Sequence, residues 1–325
     1  MAMYANPVYP EVFADPFVLR HEGVYYAYGT APGNPQGGEI PVLRSIDLVH
    51  WEAIGHALAP TGPTQFPAPQ FWAPEVAAHD GRFYLYYSSG GAASEGTDHR
   101  LRVAVAGHPA GPFVDAGKLL VPYHPFSIDA HPFRDADGQW YLFYCVDFVE
   151  PDGDQRVGTG IVVDRLTDMT TLAGEAATVV RPHHDWHVFR KGREMYGKVF
   201  HWHTVEGPAV QVHDGKYYCF YSGGAWERDN YGVSWVVADH PMGPWRRPEG
   251  GEQALLMRTP HGGQLLGPGH NSFTVSPDGS ETWIVYHAWD PAQTARRMCI
   301  DRLDWVDGRP VTQGPTWTEQ QAPAT

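Results

Sequence analysis

Three carboxylates, an imidazole and an indole stand at comparable places along this 325-residue chain, each ahead of a turn glycine and an aromatic run. Asp15, in FADPFVLRHEG, lies eight residues before Gly23. Asp129 (SIDAHPFRDADG), Glu206 (VEGPAVQVHDG) and His270 (GHNSFTVSPDG) each lie nine before Gly138, Gly215 and Gly279. In FWAPEVAAHDG the same places, nine and eight before Gly81, hold Trp72 and Ala73. A lone acid near a turn ordinarily caps a loop. Three at matching positions of separate repeats suggest a shared site, because burying like charges together is costly. A pair of carboxylates across a pocket suits glycoside hydrolysis: one protonates the leaving oxygen while the other activates water or attacks the sugar. A third can raise the pKa of the acid by repulsion. The residues alone leave open which acid does which.

The elements that must position this set repeat along the chain. Acidic-Gly turns followed by aromatic strands recur in HEGVYYAYGT, HDGRFYLYYSSGG, ADGQWYLFYCVD, HDGKYYCFYSGG and, more loosely, PDGSETWIVYHAW, at intervals of 58, 57, 77 and 64 residues. This is a hairpin signature. Weaker strand patterns follow, as in LRVAVAGHPAGPF and VSWVVADHPMGPW. Five units, each of three or four short strands, predict an all-β fold, a five-bladed β-propeller, in preference to a β-sandwich. The innermost strand of each blade would line a central channel, so Asp15, Trp72, Asp129, Glu206 and His270 would converge at one end of it. Glu75, six residues before its turn, is out of phase and is expected to be structural. One domain over residues 1–325 is expected, with the tail after about 318 frayed.

Composition narrows the partners. Lys plus Arg number 23 and Asp plus Glu 37, a net charge of −14. Such a chain is a poor partner for nucleic acid or an anionic membrane. No run approaches the roughly 18 apolar residues of a membrane span, and no leader pattern opens the chain, so a cytoplasmic location is expected. Cys145, Cys219 and Cys299 lie in apolar, strand-like runs and read as buried thiols. The sequence carries no signal for oligomeric state.

The ordered set ADPF, FWAPE, SIDAHPF, VEGPAV and GHNSF resembles glycoside hydrolase family 43, from roughly Phe13 to Trp305. The resemblance implies a five-bladed β-propeller and an inverting mechanism. It makes Asp15 the general base, Glu206 the general acid, and Asp129 the residue that tunes and orients the acid. Trp72 would wall the sugar site. In ARRMCIDRLDW, Arg296 would reach a substrate hydroxyl in preference to Arg297. His270 would sit near a bound cation, commonly calcium held mostly by water; no organic cofactor is expected.

The longest interval holds His183, His184, His187, His201 and His203, whose spacing matches no zinc motif. It is expected to carry an insertion over the pocket, with Trp186 and Trp202 as stacking candidates. The resemblance implies an exo-acting hydrolase releasing terminal xylose, L-arabinofuranose or both from plant cell-wall oligosaccharides. An endo-arabinanase, a retaining invertase-like enzyme and a non-catalytic sugar-binding propeller are the alternatives.

Overall fold

The computed structural model describes residues 2–32, 39–59, 69–91, 97–249 and 255–325. Among them the chain is almost wholly strand and turn, with one 3-10 turn at Asp185–His187 and no α-helix. The strands form successive antiparallel meanders. The first comprises Ala14–His21, Val24–Thr30, Glu39–Ser45 and Glu52–Leu58. The second comprises Pro69–His79, Arg82–Gly91, Arg100–Ala106 and Val114–Leu119. Ser127–Arg134, Trp140–Phe148 and Gly158–Asp168 make the third, edged by Ala177–Val180. Lys198–His213, Lys216–Gly223, Gly232–Ala238 and Met257–Arg258 make the fourth. Leu266–Val275, Thr282–Trp289, Arg296–Val306 and Arg309–Thr312 make the fifth.

Turn chemistry explains the tight hairpins. Glu22-Gly23, Asp80-Gly81 and Asp214-Gly215 all have positive φ at both residues, from 48° to 78°. That is the type I′ geometry whose twist matches the flanking strands.

The first strands of the meanders touch one another in chain order, and the fifth returns to the first, so they close a ring. The core follows from that closure. Five apolar clusters each fill the gap between two neighbouring meanders, as where Tyr28 and Phe71 join the first to the second. Tyr28, Tyr86, Tyr144, Tyr221 and Tyr286, all from second strands, are fully buried in or beside these clusters. The alternation of aromatic and small residues on those strands is thus a packing pattern, apolar on both faces.

Two features differ from the sequence expectations or refine them. The tail is not frayed: Gln320–Gln321 pairs with Met3–Tyr4, and the Ala324 N–H donates to Glu281 Oε2 at 3.0 Å. Pairing the two ends satisfies backbone groups that would otherwise need water. The long interval contains an added strand, Val188–Met195, which pairs antiparallel with the start of Lys198–His213.

Candidate active site

Every first strand is broken by a bulge at one level. The register steps from Ala14↔Thr30 to Phe17↔Tyr28, and likewise beyond Trp72↔Ser88, Ile128↔Cys145, Glu206↔Ser222 and Gly269↔His287. The next residue is left-handed in all five: φ is 49° at Asp15, 44° at Ala73, 57° at Asp129, 60° at Gly207 and 49° at His270. Bulges re-aim side chains, and left-handed non-glycine residues gather at functional sites. This register corrects the alignment by turn glycine. Gly207, not Glu206, is the counterpart of Asp15, Asp129 and His270, while Glu206 shares its level with Trp72. The third and fifth turns are longer than the two-residue turns, so counting back from the glycine shifted the comparison by one.

The bulges are latched around the ring. In four of the five, the side chain facing the bulge from the second strand accepts the left-handed N–H of the next meander. Thr30 Oγ1 takes Ala73 at 2.9 Å, Ser88 Oγ takes Asp129 at 3.2 Å, Ser222 Oγ takes His270 at 2.7 Å and His287 Nδ1 takes Asp15 at 3.0 Å. The remaining equivalent is Cys145, and a thiol is a weak acceptor. There the Gly207 N–H donates to Asp129 Oδ2 at 3.1 Å, with Cys145 Sγ 3.9 Å from the same oxygen.

Asp15, Asp129, Glu206, Trp72, His270 and Arg296 line one cavity of about 490 Å³. Their electrostatics divide the acids. Burial works to raise the pKa of Asp15, but Arg296, 3.0 Å from its Oδ1, and His270, 3.4 Å away, outweigh it and hold Asp15 well below the usual carboxylate range. His287 Nδ1 is 3.2 Å from the same oxygen, yet it already accepts the Asp15 N–H, and burial keeps this imidazole neutral by pulling its pKa down to about 4. Arg296 is therefore the charge that holds Asp15 ionised. Burial and the nearby Glu206 and Asp15 push Asp129 well above the usual range, against the Gly207 N–H. Burial pushes Glu206 up to about 7, opposed by the Tyr231 hydroxyl, which donates to its Oε1 at 2.8 Å.

The indole expectations divide. Trp72 lines the cavity and stacks on the His99 ring, with centroids 3.4 Å apart and planes 13° apart. Trp202 is fully buried, donates to Thr159 Oγ1 at 3.3 Å, and does not reach the cavity. Trp186 stacks on Tyr221 behind Gly223 and is likewise absent from the cavity wall. The aromatic wall is instead Trp226 and Trp289, which stack at 6.1 Å; the Arg296 guanidinium lies 4.3 Å over Trp226. The repeat pattern held a signal for both: YSGGAW places a tryptophan just past an aromatic second strand and YHAW places one at the end of another. Tyr231 and His287 carried no comparable mark. Glu75 pairs with His131 Nδ1 at 2.7 Å, and His131 Nε2 accepts the Val210 N–H at 3.0 Å, tying the second, third and fourth meanders together.

The protein offers a cation little beyond His270. His270 directs Nδ1 toward Asp15, and among the described residues no group of three or more His, Cys, Asp or Glu is arranged to hold a metal ion. Calcium takes six to eight oxygen ligands, waters among them, so an ion beside this imidazole would draw nearly all of them from water.

An ionised carboxylate and a protonated one facing a common cavity walled by indoles is the arrangement of a glycoside hydrolase. The sequence profile of glycosyl hydrolases family 43 matches residues 4–310, and the chain belongs to that family. It is 34% identical to a protein solved as a thermostable family-43 glycoside hydrolase, with 99% of each chain covered and a TM-score of 0.85. It is 29% identical over 317 residues to the β-D-galactofuranosidase xynD of Aspergillus niger, covering 92% of this chain and 81% of that protein. It is also 29% identical over 299 residues to the extracellular exo-α-(1→5)-L-arabinofuranosidase of Streptomyces chartreusis, covering 88% and 83%.

Proposed function

We propose that the five meanders are the blades of a β-propeller and that the chain is an inverting exo-glycosidase. Its substrate is a short oligosaccharide ending in α-L-arabinofuranose, with β-D-xylose as the weaker alternative. The observation that carries the reading is the division of charge in one cavity: Arg296 holds Asp15 ionised while burial keeps a proton on Glu206 to about pH 7. Two relatives named for furanosides favour L-arabinofuranose over xylose as the terminal sugar.

In this mechanism Asp15 takes a proton from water as the water oxygen bonds to the anomeric carbon. Glu206 gives its proton to the leaving oxygen as the glycosidic bond breaks on the other face. Asp129, fastened to the Gly207 N–H, stands beside the acid and disfavours its early ionisation. Trp72 and the Trp226–Trp289 pair form the wall against which the sugar rests.

Initial rates on nitrophenyl α-L-arabinofuranoside and nitrophenyl β-D-xylopyranoside, with Asp15→Ala and Glu206→Ala beside the wild type, test the assignment. Asp15→Ala should lose at least about a hundredfold on these glycosides, and Glu206→Ala as much on the disaccharide of the same sugar, whose alkoxide leaving group needs the proton; wild-type rates in either case would falsify it. Proton NMR of the first-formed sugar should show the inverted anomer.

A further inference from the structure

Two stacked rings connect the proposed base to the proposed acid. Tyr231, fully buried just ahead of strand Gly232–Ala238, donates its hydroxyl to Glu206 Oε1 at 2.8 Å. Its ring lies against the His287 imidazole with centroids 5.8 Å apart and planes 7° apart. His287 is fully buried too, and its Nδ1 accepts the Asp15 N–H at 3.0 Å. The Tyr231 ring is packed against the backbone of the fifth meander: a Cβ on Gly269 would meet it at 2.4 Å, so glycine there is what admits the tyrosine. The stack thus grips the acid by a hydroxyl at one end and the backbone of the base at the other.

We propose that Tyr231 is a positioning residue: it holds Glu206 by Oε1, leaves Oε2 to deliver the proton, and through His287 sets the spacing of Glu206 from Asp15. This rests on the assignment of Glu206 as the acid. During turnover the Oε2 proton passes to the leaving oxygen as its bond to the anomeric carbon breaks. The water proton goes to Asp15 as the water oxygen bonds to that carbon. Tyr231 keeps its own proton, and its hydrogen bond to Oε1 strengthens as Glu206 becomes an anion.

The other groups acting on this pair come from several strands. Asp15 (Ala14–His21) and Asp129 (Ser127–Arg134) disfavour the Glu206 anion, while Arg296 (Arg296–Val306) and Arg193 (Val188–Met195) favour it; Cys145 (Trp140–Phe148) is a buried neutral thiol. Tyr231→Phe alters none of these charges, so a moved alkaline limb reports the lost hydrogen bond. A merely structural tyrosine would change stability and leave the limb in place.

The test compares Tyr231→Phe and Glu206→Gln with wild type on the better of the two nitrophenyl glycosides and on the disaccharide of the same sugar. Glu206→Gln should lose far more on the disaccharide, whose alkoxide leaving group needs the proton, than on the nitrophenyl glycoside. Equal losses would overturn the acid assignment itself. Given that assignment, Tyr231→Phe should move the alkaline limb of kcat/KM up by about half to one pH unit. It should also slow the disaccharide more than the nitrophenyl glycoside. An unmoved limb overturns the role of Tyr231. Should Tyr231→Phe fail to fold, site-specific 3-fluorotyrosine at 231 is the second variant. As a stronger donor it should move the limb down, and an unmoved limb again overturns the proposal.

Discussion

Asp129 is fastened to the backbone of the residue that follows the proposed acid: its Oδ2 accepts the Gly207 N–H at 3.1 Å. The link exists because Cys145 stands where serine, threonine or histidine catches the corresponding N–H between the other meanders. It places a second carboxyl beside Glu206, so the pair retains a proton that an isolated glutamate would lose. Asp129→Asn keeps an acceptor for Gly207 but removes the carboxyl that titrates together with Glu206. The repulsion that delays the second ionisation of the pair is then lost, which should move the alkaline limb of kcat/KM to lower pH. The rate at pH 7 should drop about tenfold or more. A pH–rate profile checks this, and an unshifted limb would show that Asp129 does not act on the acid.

Arg296 acts on the other limb. Asp15 is buried, which by itself favours the neutral form, and the guanidinium reverses that. Trp226 and Trp289 hold the guanidinium in place. Arg296→Met should therefore raise the pKa of Asp15. A base must be ionised, so the acidic limb of kcat/KM should move upward by about one pH unit or more. An acidic limb left in its wild-type place would mean that another group keeps Asp15 charged.

Much of this was legible in the repeat. The acidic-Gly turns marked the hairpins, and the carboxylates at their heads marked the cavity, because type I′ turns and aromatic second strands are local chemistry. What escaped was one-residue register. Glu206 and Asp129 differ by a step because the third turn, between Arg134 and Trp140, is longer than the fourth, between His213 and Lys216, so places counted back from the turn glycine are not equivalent. The roles of Tyr231 and His287 escaped because each acts through partners in distant meanders. Trp202 was misplaced for a related reason: an indole near the start of the long strand Lys198–His213 looks the same in sequence whether it faces a cavity or the core.

Trp202 and Trp72 therefore make a pair of opposed expectations. Trp202 is fully buried, hydrogen-bonded to Thr159 and set edge-on to Phe200 at 5.7 Å. Trp202→Ala should cost about 3–5 kcal/mol of stability with KM unchanged at a temperature where the variant is folded. Trp72 lines the cavity, so Trp72→Ala should raise KM about tenfold with a smaller loss of stability. Thermal melts beside Michaelis curves separate the two. A raised KM in Trp202→Ala would return that indole to the substrate site.

Metal removal separates a cation from the hydrogen-bonded arrangement seen around His270. The imidazole faces Asp15 at 3.4 Å, burial lowers its pKa, and its backbone N–H is caught by Ser222 Oγ at 2.7 Å. These contacts place the ring without a metal, and a calcium ion there would draw nearly all its oxygens from water. Dialysis against EDTA should leave both kcat/KM and the melting temperature where they were, and added calcium should raise neither. His270→Ala should still impair the enzyme, because Asp15 loses a partner and its pKa rises. The acidic limb would then move up, in the same direction as for Arg296→Met but by less, since burial holds the imidazole neutral. A fall in activity on chelation that calcium restores would instead place a water-held cation beside His270.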